Sequence, residues 1–391
     1  MKGSPLIFAA LPLTPLVVFL GHGYDLLVSY VAARNVAHGL SPYEGGSYPN
    51  LSYPSEIQGI GETPLWPLFL SMVYSLSAGD IFLFNALSKI PIIISLIALY
   101  FLAQRSKLER GDFYLLNSYV LMTSVAWGKP DVLATTLVLL ALLNVRRAFL
   151  SILLLAVSLN VKPLALGAVP AFVAYYGLRR GLTFAAALIA LSSMIFFAPF
   201  VLLGWSASTP VTGTINWLAD AGGLSPLNIL EYFYGWSYAG INPHGFVVGV
   251  PWLSAVVLSS ALISLKNPRD FRSLAWLSLL GSTVFLVLRP KVSEQNLMLP
   301  FVLIHWISGR PVSTSLWASV MVFAILNYSI PQLLYPVWPD VVADLHEATK
   351  WFEEPRLIAR FASSLIFYWL FFRELTKVRR HLVGVDWARN G

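Results

Sequence analysis

Long apolar runs separated by short basic clusters extend along almost the whole chain, and this alternation constrains the fold more than any other feature. The mean hydropathy is +0.69, and only 12% of the residues are charged, whereas about 25% is usual for a soluble domain. One crossing of a bilayer needs about 20 apolar residues, and the runs predict about twelve such helices. The sequence therefore predicts an all-α polytopic membrane protein in which residues 1–391 form a single membrane domain.

The basic clusters also predict the orientation in the membrane. Lysine and arginine accumulate in cytosolic loops, and 17 of the 26 basic residues fall on one side if Lys2 is cytosolic. Both termini are then cytosolic, and 373–391 is a cytosolic basic tail. Clusters this short and dispersed indicate topology and do not indicate a nucleic-acid partner. The compact loops and the absence of cysteine favour the cell membrane.

Three segments are predicted on the opposite, outer face. The orientation is consistent only if 64–77 lies at the outer interface instead of spanning the bilayer, with Trp66 and Tyr74 as interfacial anchors. We therefore predict an external module at 21–80 that carries interfacial helices. A long aromatic loop at 205–244 is expected to cover this face as a lid, and 331–355 is a further external loop.

Asp25 follows the first apolar run at 6–20 and is the first candidate for catalysis. A carboxylate at the edge of a membrane is partly desolvated, which raises its pKa and suits it to take a proton from an acceptor hydroxyl. We predict that Asp25 is a general base. The structural alternatives are a helix cap or an ion pair with Arg34. Glu62 is a possible second acid, or a cap for the helix that follows it.

Four basic residues on the outer side lie at the ends of predicted helices, in segments that contain proline. Charge at this depth is costly and indicates function by default, and cations at the outer leaflet would suit a lipid phosphate or pyrophosphate. The alternative is local ion pairing, Lys129 with Asp131 or Lys291 with Glu294. The four residues are Lys129, Lys162, Arg289 and Lys291.

The segment 148–178 is too short for two full spans between its flanking arginine pairs. Its midpoint reads Asn160-Val161-Lys162-Pro163, and proline interrupts helices. We predict two short helices that meet at Lys162.

No cofactor is predicted. The chain has no cysteine and six scattered histidines, so zinc-ligand spacing is absent, and the sequence contains no glycine-rich nucleotide loop. This gives no support to a nucleotide-driven transporter or a nucleotide-sugar enzyme. Asp25, Glu44 and Glu62 could converge on a divalent cation.

Five segments together resemble a known superfamily. They run from Asp25 through Gly39-Leu40-Ser41-Pro42-Tyr43, then Glu62-Thr63-Pro64-Leu65, Gly128-Lys129-Pro130-Asp131, Asn160-Val161-Lys162-Pro163-Leu164 and Lys291-Val292-Ser293-Glu294-Gln295-Asn296. In order and placement they resemble the integral-membrane glycosyltransferases of the GT-C fold that use polyprenyl-phosphate sugars. The nearest pattern is that of the dolichyl- and polyprenyl-phosphate-mannose-dependent mannosyltransferases, including the glycosylphosphatidylinositol first-mannose type and related prokaryotic families.

The resemblance implies an inverting transfer of mannose from a polyprenyl- or dolichyl-phosphate donor to a lipid-linked glycan or similar hydroxyl acceptor at the outer face. Asp25 would activate the acceptor, and the four outer cations would hold the phosphate leaving group. The remaining candidates, for binding of sugar or acceptor, are Arg34, Tyr43, Glu44, Glu62, Asp131, Glu294 and Gln295.

Two other functional classes fit parts of the sequence. Broken helices and charges at membrane depth are also typical of a secondary transporter or flippase of a lipid-linked anionic substrate. Such a protein should show two corresponding halves, whereas here the polar features concentrate on one face. A non-catalytic scaffold subunit should lack Asp25 or the corner cations, and this chain has both.

Overall fold

The computed structural model describes residues 17–46, 57, 59–206, 222–234 and 243–390. Most of these residues are helical, and the only named strands among them are a parallel pair of two residues each, β1 (Gly222–Gly223) and β2 (Lys291–Val292). The all-α prediction is confirmed for this part of the chain. The first apolar run at 6–20 and the loop at 205–244 lie largely outside it.

The α-helices are numbered in chain order. They are α1 Gly23–Ala37, α2 Leu65–Leu76, α3 Ile81–Ser88, α4 Ile90–Arg105, α5 Phe113–Leu116, α6 Ser118–Leu121, α7 Asp131–Leu143, α8 Ala148–Val161, α9 Val169–Tyr176, α10 Leu178–Leu203, α11 Ile229–Tyr234, α12 Pro243–Ser264, α13 Phe271–Ser282, α14 Met298–Ser308, α15 Thr314–Leu326, α16 Ser329–Gln332, α17 Pro339–Ala348 and α18 Glu353–Asn390. π-Helical turns extend α6 and α13 at Met122–Ala126 and Thr283–Val287. Short 3-10 turns occur at Pro163–Gly167, Pro226–Asn228, Glu294–Leu297 and Lys350–Phe352.

Among the residues that the structure describes, two helical segments are long and apolar enough to cross a membrane, namely Ile81–Arg105 and Leu178–Leu203. The bent pair Ser118–Ala126 and Asp131–Leu143 makes a third if it counts as one span. Five further apolar helices of the described chain are shorter: Leu65–Leu76, Ala148–Val161, Gly249–Ser264, Phe271–Val287 and Thr314–Leu326. Helices suited to a membrane are therefore present, and the number twelve stays a prediction.

A sharp corner separates α6 from α7. The chain turns by 109° between Ser118–Ala126 and Asp131–Leu143. Gly128 adopts φ +80°, a left-handed conformation that glycine adopts without steric cost. Pro130 follows and has no N–H to continue the preceding helix. The corner places Lys129 between two apolar helices.

The predicted break at Lys162 is confirmed. Helix α8 ends at Val161, Lys162 is extended with φ −162° and ψ 136°, and Pro163 opens a 3-10 turn. This turn packs tightly on α13, because a Cβ on Gly167 would lie 2.7 Å from Ser282 Cα and a Cβ on Gly281 would lie 2.0 Å from Gly167 O. This contact between Gly167 and Gly281 holds the break at Lys162 against the helix bundle.

The module at 21–80 consists of α1 packed against α2, apart from 47–56 and 58, which lie outside the described residues. Thr63 Oγ1 donates to Leu159 O at 3.2 Å, which docks the module on α8. The prediction that Trp66 is an interfacial anchor is wrong, since this side chain is only 2% exposed. Its hydrophobic surface packs inward, and Met72 and Leu76 form the exposed apolar face of α2 instead.

The two segments predicted near the C-terminus are both helical. The loop at 331–355 contains α17 and the turn Lys350–Phe352. The tail at 373–391 is, as far as residue 390, the second half of the 38-residue helix α18. The predicted tail is thus continuous with the preceding apolar part of α18, and its cytosolic location stays a prediction.

Candidate functional site

Two carboxylates hold Lys129 at the first corner. Its Nζ lies 2.6 Å from Glu62 Oε1 and 3.1 Å from Asp25 Oδ1. Asp25 comes from the first turn of α1 and Glu62 from the segment before α2, so the packing of α1 on α2 brings both to the corner. The Glu62 and Lys129 side chains are buried, whereas that of Asp25 is 25% exposed. The open side of the cluster is therefore the Asp25 carboxylate.

His22 and Trp127 complete the surroundings of Asp25, and neither was among the predicted site residues. Trp127 Nε1 donates to Asp25 Oδ2 at 2.6 Å. The His22 ring stacks on Trp127 with centroids 4.5 Å apart and planes within 2°. His22 Nδ1 lies 3.5 Å from Asp25 Oδ2 but forms no hydrogen bond with it. The spacing of His22 three residues before Asp25, in the first turn of a helix, was the available signal.

The pKa of Asp25 is lower than the sequence predicted. Burial raises it, but the charge of Lys129, the proximity of His22 and the Trp127 hydrogen bond together lower it well below the usual range for aspartate. The prediction of a raised pKa is wrong, because the opposing cation could not be read from the sequence. Asp25 is thus ionised in this arrangement, and its basicity depends on where Lys129 lies.

The second lysine corner is also paired with an acid. Lys162 Nζ lies 2.5 Å from Asp131 Oδ2, and Asn296 Nδ2 donates to Asp131 Oδ1 at 3.2 Å. The local pair Lys129–Asp131 is therefore not formed, although the two residues are neighbours in sequence. Each lysine instead binds an acid from another element of the fold. Asn296 was not among the predicted site residues, though it lies in a segment that carries the resemblance.

Glu294 is buried between three elements. Its Oε1 accepts a hydrogen bond from Ser329 Oγ at 2.8 Å, and its backbone oxygen accepts from Tyr119 OH at 2.9 Å. Burial raises the pKa of Glu294, hydrogen bonds lower it in part, and the charge of Asp25 raises it further. Glu294 thus contacts Ser329 and not its alternative partner Lys291. The charge of Asp25, which contacts Lys129 at the first corner, also acts on the Glu294 carboxyl.

Replacing Glu294 with Gln should change how stability depends on pH. A raised carboxyl pKa means that the folded state binds a proton more tightly than the unfolded state, so wild-type stability falls as pH rises from the ordinary value of about 4.3 toward the folded-state pKa. Glu294→Gln does not undergo this loss of stability. Its melting temperature should therefore rise relative to that of wild type as pH increases from about 4.5 to 7.5. Thermal unfolding in detergent measures the difference, with the exposed Glu354→Gln as the control. The prediction is contradicted if the difference in melting temperature between wild type and Glu294→Gln stays constant over this pH range.

The structure places two of the remaining candidates beside the site. Tyr43 is buried and stacks on Phe200 at 5.6 Å, and burial together with the charge of Glu62 raises its pKa. Its hydroxyl, like the amide oxygen of the buried Gln295, has no hydrogen-bond partner within the described chain. Buried polar atoms without partners are uncommon, and neither of these two atoms is accessible to solvent.

Asp25, Glu44 and Glu62, the acids that could bind a divalent cation, have different surroundings in this structure. The Glu44 side chain is exposed, and only its backbone oxygen is engaged, by Asn35 Nδ2 at 3.1 Å. Lys129 occupies the position between Asp25 and Glu62. Arg34 is half-buried in the last turn of α1, and the cationic partner of Asp25 is Lys129 instead of Arg34.

Arg289 and Lys291 are held by other elements. Arg289 is buried and close enough to Tyr368 of α18 to interact with it electrostatically. Lys291 belongs to β2 and pairs with Gly222 of β1. These two candidates are thus placed by α18 and β1, whereas Lys129 and Lys162 are placed by the two broken corners.

A narrow cavity opens beside Asp25 and Lys129. The rest of it is lined by Trp127 and Gly128 of the corner, by Ser29, Asn85 and Ser88, and by one apolar residue each from α1, α2 and α3. Behind the corner lies Lys89, which is fully buried and donates from Nζ to Val18 O at 2.6 Å. The cavity combines polar groups with an apolar wall, and its volume of about 10 Å³ has room for about one water molecule.

Gly128 should not tolerate a side chain, for conformational and not steric reasons. A Cβ there would meet only Lys89 Cε, at an ordinary 3.5 Å, but φ is +80°. We expect Gly128→Ala to lower the free energy of unfolding by about 1–2 kcal/mol, the cost of a left-handed conformation for an L-residue. The matched control is Gly61→Ala, because a Cβ on Gly61 meets nothing within 4 Å and its φ is not positive. Equal melting temperatures for the two variants would contradict the expectation.

Comparison of the chain with protein-family models, with curated proteins and with solved structures found no match.

Proposed function

We propose that this protein is a membrane glycosyltransferase that moves a sugar, mannose in the first instance, from a polyprenyl- or dolichyl-phosphate donor to the hydroxyl of a lipid-linked glycan or similar acceptor at the outer face of the cell membrane. The observation that carries the proposal is the Asp25–Lys129–Glu62 cluster. It is a carboxylate, partly open to a cavity, paired with a cation at a corner between apolar helices. The resemblance of the segments around Asp25, Lys129, Lys162 and Glu294 supports the same reaction.

The proposed reaction is a single displacement. The acceptor oxygen forms a bond to the anomeric carbon as the bond from that carbon to the phosphate oxygen breaks. The acceptor proton passes to the Asp25 carboxylate, and the polyprenyl phosphate leaves with the bonding electron pair. Inversion follows from in-line attack, so that a β-linked donor gives an α-linked product, and positioning with electrostatic stabilisation is sufficient for catalysis.

Lys129 has a specific part in this proposal. Its ammonium is shared between two carboxylates. A donor phosphate beside it would compete with Asp25 for hydrogen bonds from the Lys129 N–H groups. As Lys129 turns toward the phosphate, Asp25 loses the cation that depresses its pKa and becomes a stronger base. Glu62, the closer and more deeply buried partner, keeps Lys129 at the corner.

The first experiment is transfer of radiolabelled sugar by purified wild-type protein. Synthetic polyprenyl-phosphate mannose and polyprenyl-phosphate glucose are each supplied with a membrane lipid extract, and the labelled product is separated from the donor. We expect label in an acceptor lipid with at least one donor. No transfer from either donor, from protein that remains folded, would contradict the proposal.

The alternative is a secondary transporter or flippase of a lipid-linked anionic substrate. The observation that favours it is the 109° break between two apolar helices with a lysine at the break, since broken helices hold substrates and ions in transporters. Such a protein would move the donor across a vesicle membrane without cleaving it. Translocation and transfer are therefore measured on the same preparation.

A further inference from the structure

The external segment that follows α15 contacts the backbone on both sides of His22. Gly21 N donates to Leu333 O at 2.8 Å. A Cβ on Gly21 would lie 2.9 Å from Pro336 Cγ, and a Cβ on Gly23 would lie 2.7 Å from Tyr335 Cγ. The start of the segment is therefore packed closely over the chain just before Asp25.

The far end of the same segment is also anchored. Tyr328 OH donates to Thr349 Oγ1 at 2.5 Å, and the Arg356 guanidinium lies 4.3 Å from the centre of the Tyr328 ring. Residues 333–349 thus form a strap that is fixed to the protein at both ends. Helix α17 lies between the two attachments.

Helix α17 presents three different faces. Val342 is buried against the protein. Val341 and Leu345, four residues apart, are 53% and 39% exposed, and Trp338 precedes them by a helical turn with 55% exposure. Asp340, Asp344 and Glu347 are exposed at other angles of the helix. A helix with a protein-facing side, an apolar exposed side and an acidic side is arranged as at a boundary between membrane and water.

Two features identify lipid as the occupant of the apolar side. Trp338 and Trp351 mark the two ends of the segment, the latter 83% exposed, and tryptophan is enriched at the membrane–water interface. Helix α18 follows at once and continues the exposed apolar surface through Ile358, Ile366 and Trp369. At ten residues, α17 is too short to cross a bilayer.

We propose that residues 338–352 lie in the outer membrane–water interface, with Trp338, Val341 and Leu345 among the lipid headgroups and acyl chains and Glu347 in water. This strap would hold the Asp25 region at the level of the headgroups. The proposal depends on the exposed surface of α17 and not on the proposed enzymatic function.

The chain contains no cysteine, so single cysteines can be spin-labelled without a background signal. Leu345→Cys and Val341→Cys test the apolar side, and Glu347→Cys is the matched control on the other side of the same helix. Each labelled full-length protein is reconstituted in phosphatidylcholine vesicles. Collision of the label with oxygen, which concentrates in lipid, is compared with its collision with a water-soluble nickel chelate.

We expect an oxygen-to-nickel accessibility ratio several-fold higher at 341 and 345 than at 347. Equal, water-like ratios at the three positions would overturn the proposal and leave the apolar face for a protein partner. If Leu345→Cys fails to elute as a folded protein, the comparison of Val341→Cys with Glu347→Cys decides the question.

Discussion

Asp25→Asn should abolish most sugar transfer while leaving the protein folded. General-base catalysis contributes about 10²–10⁴-fold in rate, and we expect a loss of that size. The amide keeps an oxygen that can accept the Trp127 hydrogen bond, and Lys129 keeps Glu62. The substitution therefore removes the proton acceptor with little change of shape.

The measurement is the initial rate of labelled-sugar transfer at saturating donor, with size-exclusion elution and melting temperature as tests of folding. The control is Glu109→Gln, which removes an exposed carboxylate paired with Arg310 far along the chain. Transfer by folded Asp25→Asn at the wild-type rate would rule out Asp25 as the base.

Among the substitutions predicted for this protein, Lys129→Met should cause the largest decrease in the free energy of unfolding. The substitution leaves two carboxylates at the corner without their cation, and breaking a buried pair by removing one partner costs about 3–5 kcal/mol. Thermal unfolding of detergent-purified protein gives the comparison. Adding Glu62→Gln to Lys129→Met should recover part of the loss, because only one uncompensated charge then remains.

An exposed pair supplies the matched control for this prediction. Lys377 lies 2.8 Å from Glu374 and is 51% exposed, and such pairs contribute about 0–1 kcal/mol. Lys377→Met should therefore change the melting temperature little. If Lys129→Met is no less stable than Lys377→Met, the corner cluster is not the buried ion-pair network described above.

The sequence was a good guide to where the helices break. Pro130 and Pro163 each follow a lysine within an apolar region, and proline removes a helical hydrogen bond and clashes with the preceding turn. Both breaks are present in the structure. This inference needs only local chemistry, which is why it could be made before the fold was known.

The pairing at these breaks could not be predicted in the same way. Lys129 lies two residues from Asp131, yet it binds Asp25 and Glu62, which are 104 and 67 positions away in sequence. Such pairs depend on how α1, α2 and α7 pack. For the same reason the pKa of Asp25 was predicted in the wrong direction, since the sequence showed its burial but not the cation beside it.

Trp66 illustrates a limit of composition as a guide. Tryptophan is typical of an interfacial anchor in an external segment, but here α2 turns this face inward and leaves Trp66 only 2% exposed. Exposed tryptophans occur instead at Trp338 and Trp351 near α17 and at Trp369 in α18. Which face of a short apolar helix is buried depends on its neighbours, and α2 packs mainly on α1 and also contacts α8, which lies far along the chain.

Cleavage of a doubly labelled donor tests the proposed function most directly. A polyprenyl-phosphate mannose carrying ¹⁴C in the sugar and ³²P in the phosphate is supplied to wild-type protein and to Asp25→Asn in vesicles with acceptor lipid. We predict that wild type yields an acceptor lipid with ¹⁴C and no ³²P, together with free ³²P-polyprenyl phosphate, and that Asp25→Asn yields neither. If both labels cross the vesicle membrane together and never separate, the protein is a transporter and the proposed function is wrong.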